Sequence, residues 1–174
     1  MQDRLQNAIQ LRETGHAKEA RALLLELVAT YPDHAELNYQ TAWVHDNLGR
    51  ESEAVPFYLH AIEQGLSRES LQGALLGLGS TYRTLGQYTK AEQTLRRGMQ
   101  DFPQDRAFQV FLSMTLHNLQ RHAEAMQLLL TNLAETSTDP SLLRYKKAML
   151  FYAPNWIRSG RMIQNNHRVE INFV

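Results

Sequence analysis

The sequence predicts an all-α protein built from about four stacked helix hairpins, with one further helix capping the C-terminal side. Three observations lead there. A pattern recurs at close to 34 residues, and apolar residues at helical spacing flank a glycine-bearing turn in each copy. A hydrophobic content of 43% suits a helical core rather than a disordered chain.

The copies declare themselves through the same few residues. "TGHAKEARALL" carries Gly15, "LGRESEAVPFY" Gly49 and "LGQYTKAEQTL" Gly86, while "LQRHAEAMQLL" has Gln120 at that place. Five residues later comes an alanine each time: Ala20, Ala54, Ala91 and Ala125, separated by 34, 37 and 34 residues. Leu24, Tyr58, Leu95 and Leu129 follow four positions on. Ala8, Ala42, Gly79 and Ser113, all small, stand seven positions before the turn. Pro32 and Pro103 close the first and third units, with Leu66 and Ser137 in that place in the second and fourth. The units run 1–34, 35–68, 72–105 and 106–139. The three extra residues fall near "GLSRESLQG", where a lengthened turn costs little.

The third unit shows why the pattern is a helix hairpin. Leu75, Leu78, Tyr82 and Leu85 give one apolar stripe, and Tyr88, Ala91 and Leu95 give the next. A short polar turn joins them, as an antiparallel pair requires. The helices approach closely where they cross, so contact residues must be small. A leucine at Ala91 would overpack that crossing at a cost of roughly 1–3 kcal/mol. One hairpin cannot bury its apolar face alone, so neighbours must stack.

Beyond the fourth unit, "SLLRYKKAMLFY" reads as a single capping helix over 140–153, with Ser141 as its N-cap after Pro140. Arg144, Lys146 and Lys147 give it a polar outer face. Residues 154–174 form a basic tail with no repeat register, expected to be irregular, or extended where Val169, Ile171 and Phe173 alternate.

Unit three carries Leu78, Gly79, Tyr82, Gly86, Tyr88, Ala91, Leu95 and Pro103 at the positions of the tetratricopeptide repeat (TPR), and residues 1–139 resemble that family. The other units keep the small residues and the second-helix alanine but lose the first-helix tryptophan. The resemblance implies a right-handed α-α superhelical solenoid over 1–153 with a concave groove lined by the first helices. "WVHDNLGRESEAVPFY" and "GLGSTYRTLGQY" resemble segments of small bacterial proteins of this class, which implies a prokaryotic cytosolic protein.

Composition excludes several functions. The 18 basic and 18 acidic residues cancel, but unevenly: residues 141–174 carry +5 and residues 1–140 carry −5. An acidic repeat body lacks the basic stripe that nucleic acid requires. No cysteine is present, so disulfides, thiol nucleophiles and cysteine metal sites are absent. "MQDRLQNAIQLRETG" has no apolar signal core, and no run approaches 18 apolar residues. No membrane partner is expected, and the expected location is cytoplasmic.

"GALLGLGST" (73–81) raises the question of a phosphate loop. Such a loop needs lysine directly after its last glycine, yet Ser80 follows Gly79 and no lysine occurs before Lys90. A dinucleotide fingerprint needs a third glycine where Tyr82 stands. The stretch is therefore read as helix, with Gly79 at a helix contact and Gly77 offering floor space for a ligand. The seven histidines form no metal-ligand pattern, and His45 reads as a satisfied interior group. No triad or elbow spacing appears. Neither enzyme activity, a metal nor another cofactor is expected.

What remains is surface. The resemblance places Leu5, Ile9, Tyr39, Trp43, Leu76, Ser80, Val110 and Met114 on the inner wall, with Arg12, Asp46, Asn47, Arg83, His117 and Asn118 at its edge. The cap helix would add Leu142, Tyr145 and Met149. For Leu5, Leu76 and Val110, packing between first helices is an equal alternative. Tyr39 and Trp43 are the preferred contact anchors, because large aromatics with a polar tip suit interfaces. Relatives that clamp a C-terminal carboxylate use Lys and Asn where this chain has apolar residues, Gly or Gln. The expected function is thus a non-catalytic module binding a protein or peptide segment in the groove. The alternative is a self-associating solenoid, a possible homo-oligomer, whose groove holds its own or a neighbour's residues 155–174.

Overall fold

The structure, a computed structural model, describes residues 1–154. The expectations for residues 155–174, including their occupation of a groove, lie outside the described residues. Among the latter the fold is all-α, with no strand: α1 (Gln2–Glu13), α2 (Ala17–Thr30), α3 (Ala35–Asn47), α4 (Glu51–Gln64), α5 (Arg68–Thr84), α6 (Tyr88–Asp101), α7 (Arg106–Asn118), α8 (His122–Thr136), α9 (Pro140–Leu143) and α10 (Lys146–Tyr152).

The glycine turns explain the hairpins. Gly15, Gly49 and Gly86 sit at φ +85°, +66° and +72°, in the left-handed region that glycine enters without steric cost. The next residue's N–H reaches back to close each helix: His16 to Leu11 O (2.8 Å), Arg50 to His45 O (2.9 Å) and Gln87 to Tyr82 O (2.8 Å). The fourth turn has the same bond, Arg121 to Leu116 O (2.9 Å), but Gln120 takes the positive φ of 62°. A side chain there costs roughly 1–2 kcal/mol relative to ordinary backbone.

The described residues divide into two compact units, 1–103 and 104–154. In the first, α1–α6 pair as hairpins α1/α2, α3/α4 and α5/α6, with α2 against α3 and α4 against α5. Two apolar clusters run through it. Leu5, Ala8, Ala20, Leu24, Leu27, Leu37 and Val44 form one; Tyr39, Ala42, Ala54, Tyr58, Ala61, Ala74, Leu78, Tyr82 and Ala91 form the other. The small residues mark close helix approach: a methyl built on Gly79 would lie 2.6 Å from Leu95 Cγ. In the second unit α7 packs on α8, and Phe108, Leu112, Leu116 and Ala125 are buried. Leu129, the counterpart of the buried Leu24, Tyr58 and Leu95, is 41% exposed; the short α10 packs beside α8 in place of a full hairpin.

Two local expectations change. The three extra residues do not lengthen a turn: they extend α5 to 17 residues, against 12 to 13 for α1, α3 and α7. Ser67 makes this possible, because its Oγ accepts from Ser70 N (3.1 Å) and caps the added turn. The single helix expected over 140–153 is instead α9 and α10, broken at Arg144–Tyr145. The N-cap is Asp139 rather than Ser141, its carboxylate accepting from Ser141 N (2.7 Å), with Pro140 in the first turn where no N–H is needed. Tyr145 N then bonds Leu142 O (3.0 Å), tightening the turn before Lys146 restarts the helix.

Candidate protein-binding surface

Helical spacing puts Leu5, Ile9 and Arg12 on one stripe of α1. Tyr39, Trp43 and Asp46 share a stripe on α3, and Leu76, Ser80 and Arg83 one on α5. The structure divides these residues by exposure. Leu5 is core, and Ile9 packs against its cluster. Leu76, Ser80 and Arg83 are half-buried, as is Asp46, while Asn47 is open. In the second unit, α7 leaves Val110 37% exposed, Met114 half-buried and His117 open. Beyond it Tyr145 is exposed, and Leu142 and Met149 are half-buried.

The two proposed aromatic anchors behave differently. Trp43 is 37% exposed; Tyr39 is only 6% exposed and lies tilted by 33° against it, ring centroids 5.6 Å apart. Tyr39 is a wall member, not a free contact group, because its hydroxyl fills the space beside Gly73. Burial pushes its phenol up to about 12. Across α1, the Arg12 guanidinium carbon stands 3.7 Å from the Trp43 ring centroid, a stacked cation–π contact. Arg12 is itself buried, and burial lowers its pKa against the opposing pull of Glu13. Nη2 reaches Glu13 at 3.2 Å, but Nε has no protein acceptor.

Asp46 is the second centre. Its Oδ2 accepts from Tyr58 Oη (2.9 Å), and Thr81 Oγ1 lies 2.8 Å away, so one carboxylate ties α3, α4 and α5 together. Burial raises the Asp46 pKa, and the two hydroxyl bonds counter it. Tyr58 is raised well above the usual phenol value, first by burial and then by Asp46. Asp46 Oδ1 is buried without a partner. Gly77 does not leave ligand space: a methyl there would lie 2.7 Å from Tyr58 Cζ. Its smallness serves the tyrosine that Asp46 holds.

His45 has the geometry of a satisfied interior group. Its Nδ1 donates to Thr41 O (2.7 Å), Nε2 accepts from Arg21 Nε (3.0 Å), and Phe57 stacks on the ring. His117 and His122, which straddle the turn of the fourth unit in sequence, meet across the α7–α8 turn. Spacing missed a cleft of about 400 Å³ in the first unit. Leu75, Leu78 and Tyr82 line it between Leu59 and Ile62 of α4 and Lys90, Gln93, Thr94 and Arg97 of α6. Among the described residues no three His, Asp or Glu side chains converge, and no helix is long and apolar enough to cross a membrane.

Residues 35–156 match the Tetratrico peptide repeat family. No curated protein sequence matches the chain. Similar solved structures include the APC/C hetero-tetramer Cut9–Hcn1 (TM-score 0.71, 18% identity), where the match covers 86% of this chain but only 29% of that one. Pseudomonas aeruginosa PilF superposes with a TM-score of 0.66 at 18% identity, over 90% of this chain and 70% of its own. YrrB, a TPR protein with an unusual peptide-binding site, gives 0.61 at 17% identity over 90% and 86%. At these identities the likeness is one of fold, an all-α repeat solenoid.

Proposed function

The chain belongs to the tetratricopeptide-repeat family, and from that premise we propose that it is a non-catalytic interaction module. It binds an extended or helical protein segment along the first helices of its repeats. Proteins of this family are typically non-enzymatic scaffolds, and a solved neighbour has a peptide-binding site.

The observation that carries the reading is Trp43. An indole 37% exposed on an otherwise packed helix face, with Arg12 stacked on it and Tyr39 behind it, has the features of an interface anchor. Such a residue offers a large, preordered area to a partner at little entropic cost. Arg12, Asp46 and Arg83 supply charge around it, and each retains a buried polar atom without a protein partner. In the second unit the proposal assigns Val110, Met114 and His117 of α7 the corresponding role.

The test uses the full chain as bait in its native extract, wild type beside Trp43→Ala. Tyr39 is left intact, since removing a buried tyrosine would open a cavity and confound the result. Proteins held by the wild type and released by the variant identify the partner. Calorimetry with that partner is then expected to show a loss of more than about 2 kcal/mol, with unchanged helical circular dichroism. Equal affinities for both forms would remove Trp43 from the binding surface.

A further inference from the structure

The fourth turn differs from the other three in a way that the hairpin itself does not require. Its left-handed position holds Gln120 at φ 62°, where the other turns have glycine. Strained backbone at a position that glycine would relax calls for a role for the side chain. That side chain is engaged: Gln120 Oε1 lies 3.0 Å from His122 Nε2. An amide oxygen accepts, so Nε2 carries the proton and Nδ1 of His122 presents its lone pair. Nδ1 of His117 stands 3.1 Å from Nδ1 of His122, with ring centroids 4.6 Å apart.

The geometry points to a two-imidazole site for a divalent transition-metal ion, held by His117 Nδ1 and His122 Nδ1. With metal–nitrogen bonds of about 2.0–2.1 Å, a 3.1 Å separation subtends roughly 95–102° at the ion, between octahedral and tetrahedral angles. The turn already sets the spacing, so a rotation of the two rings is enough to aim both lone pairs at one ion. Gln120 acts as the orienting outer partner that metal-bound histidines usually have, fixing tautomer and ring direction. In the metal-free pair one proton bridges the two Nδ1 atoms. On binding, that proton moves to Nε2 of His117, and both rings remain neutral. No third His, Asp or Glu joins them among the described residues, so water or a donor from outside those residues completes the shell. Imidazole donors select the zinc and copper class over magnesium.

The test titrates Zn²⁺ into tag-free, chelator-treated full-length protein, followed by calorimetry, with Mg²⁺ as the control ion. One equivalent of Zn²⁺ is expected to bind. Affinity should fall at least about tenfold in His117→Ala and in His122→Ala, and stay unchanged in His60→Ala, whose imidazole faces Asp33 instead. Gln120→Gly separates the site from the fold. It should weaken Zn²⁺ by about tenfold while the thermal midpoint rises or holds, since glycine suits the turn. Cu²⁺ on the wild type should give an electron-spin signal split by two imidazole nitrogens, a readout independent of any variant. No zinc uptake by the wild type, affinity retained in both histidine variants, or a copper signal without nitrogen splitting would each overturn the assignment.

Discussion

Asp46 shows how much one side chain can decide. By repeat position it is an edge group of a binding wall, yet it bonds Tyr58 and lies beside Thr81, joining three helices. Burial is the largest influence on its pKa and raises it. The native state therefore takes up a proton before the unfolded chain does. Between the ordinary aspartate value and the raised native one, stability falls as pH rises, and acidification through that window restores it. Asp46→Asn has no such proton to gain. Urea denaturation from neutrality down toward pH ~4 should show the wild type gaining stability relative to the variant; parallel curves would contradict the linkage. The same residue marks where the sequence stops being informative. Small and aromatic positions can be read from the repeat register, but which aromatic is covered depends on the next hairpin. Tyr39 is shut in by the helix bearing Gly73, and Trp43, one turn along, is not.

At the scale of the element, the hairpins were legible because they share the same parts: a small residue at the crossing, an alanine facing it and, in three of the four, glycine in the turn. Gly77 is a different case. It belongs to no repeat rule, and its size answers to Tyr58, whose ring is held by the bond to Asp46. Alanine there would gain about 1 kcal/mol of helix propensity but force an overpacked contact costing roughly 1–3 kcal/mol. The expected net outcome for Gly77→Ala is destabilisation by up to about 2 kcal/mol, read from the urea midpoint at constant slope. A gain in stability would show that Tyr58 can move aside. Helix ends were less legible than helix faces. Ser67 and Asp139 are good caps, but whether insertions lengthen a loop or a helix depends on which N–H groups the cap finds free.

On the scale of the molecule, residues 1–103 contain three hairpins and both apolar clusters, while the described part of the second unit, 104–154, holds one hairpin and two short helices. Helical repeats need about three copies to bury a continuous core. A fragment ending at Pro103 should therefore unfold cooperatively in urea, and residues 104–154 alone should not; a gradual transition in the first fragment would contradict this division. The wall was legible only as a list of positions, because repeat register says which way a side chain faces and not what meets it there. The Arg12–Trp43 stack has one more consequence. The chain contains only two tryptophans, and a cation lies 3.7 Å from the ring centre of this one. Its emission colour and yield respond to that charge and to the solvent on its open side. The molecule thus carries a built-in optical gauge, one that signals an arriving occupant without dye or label.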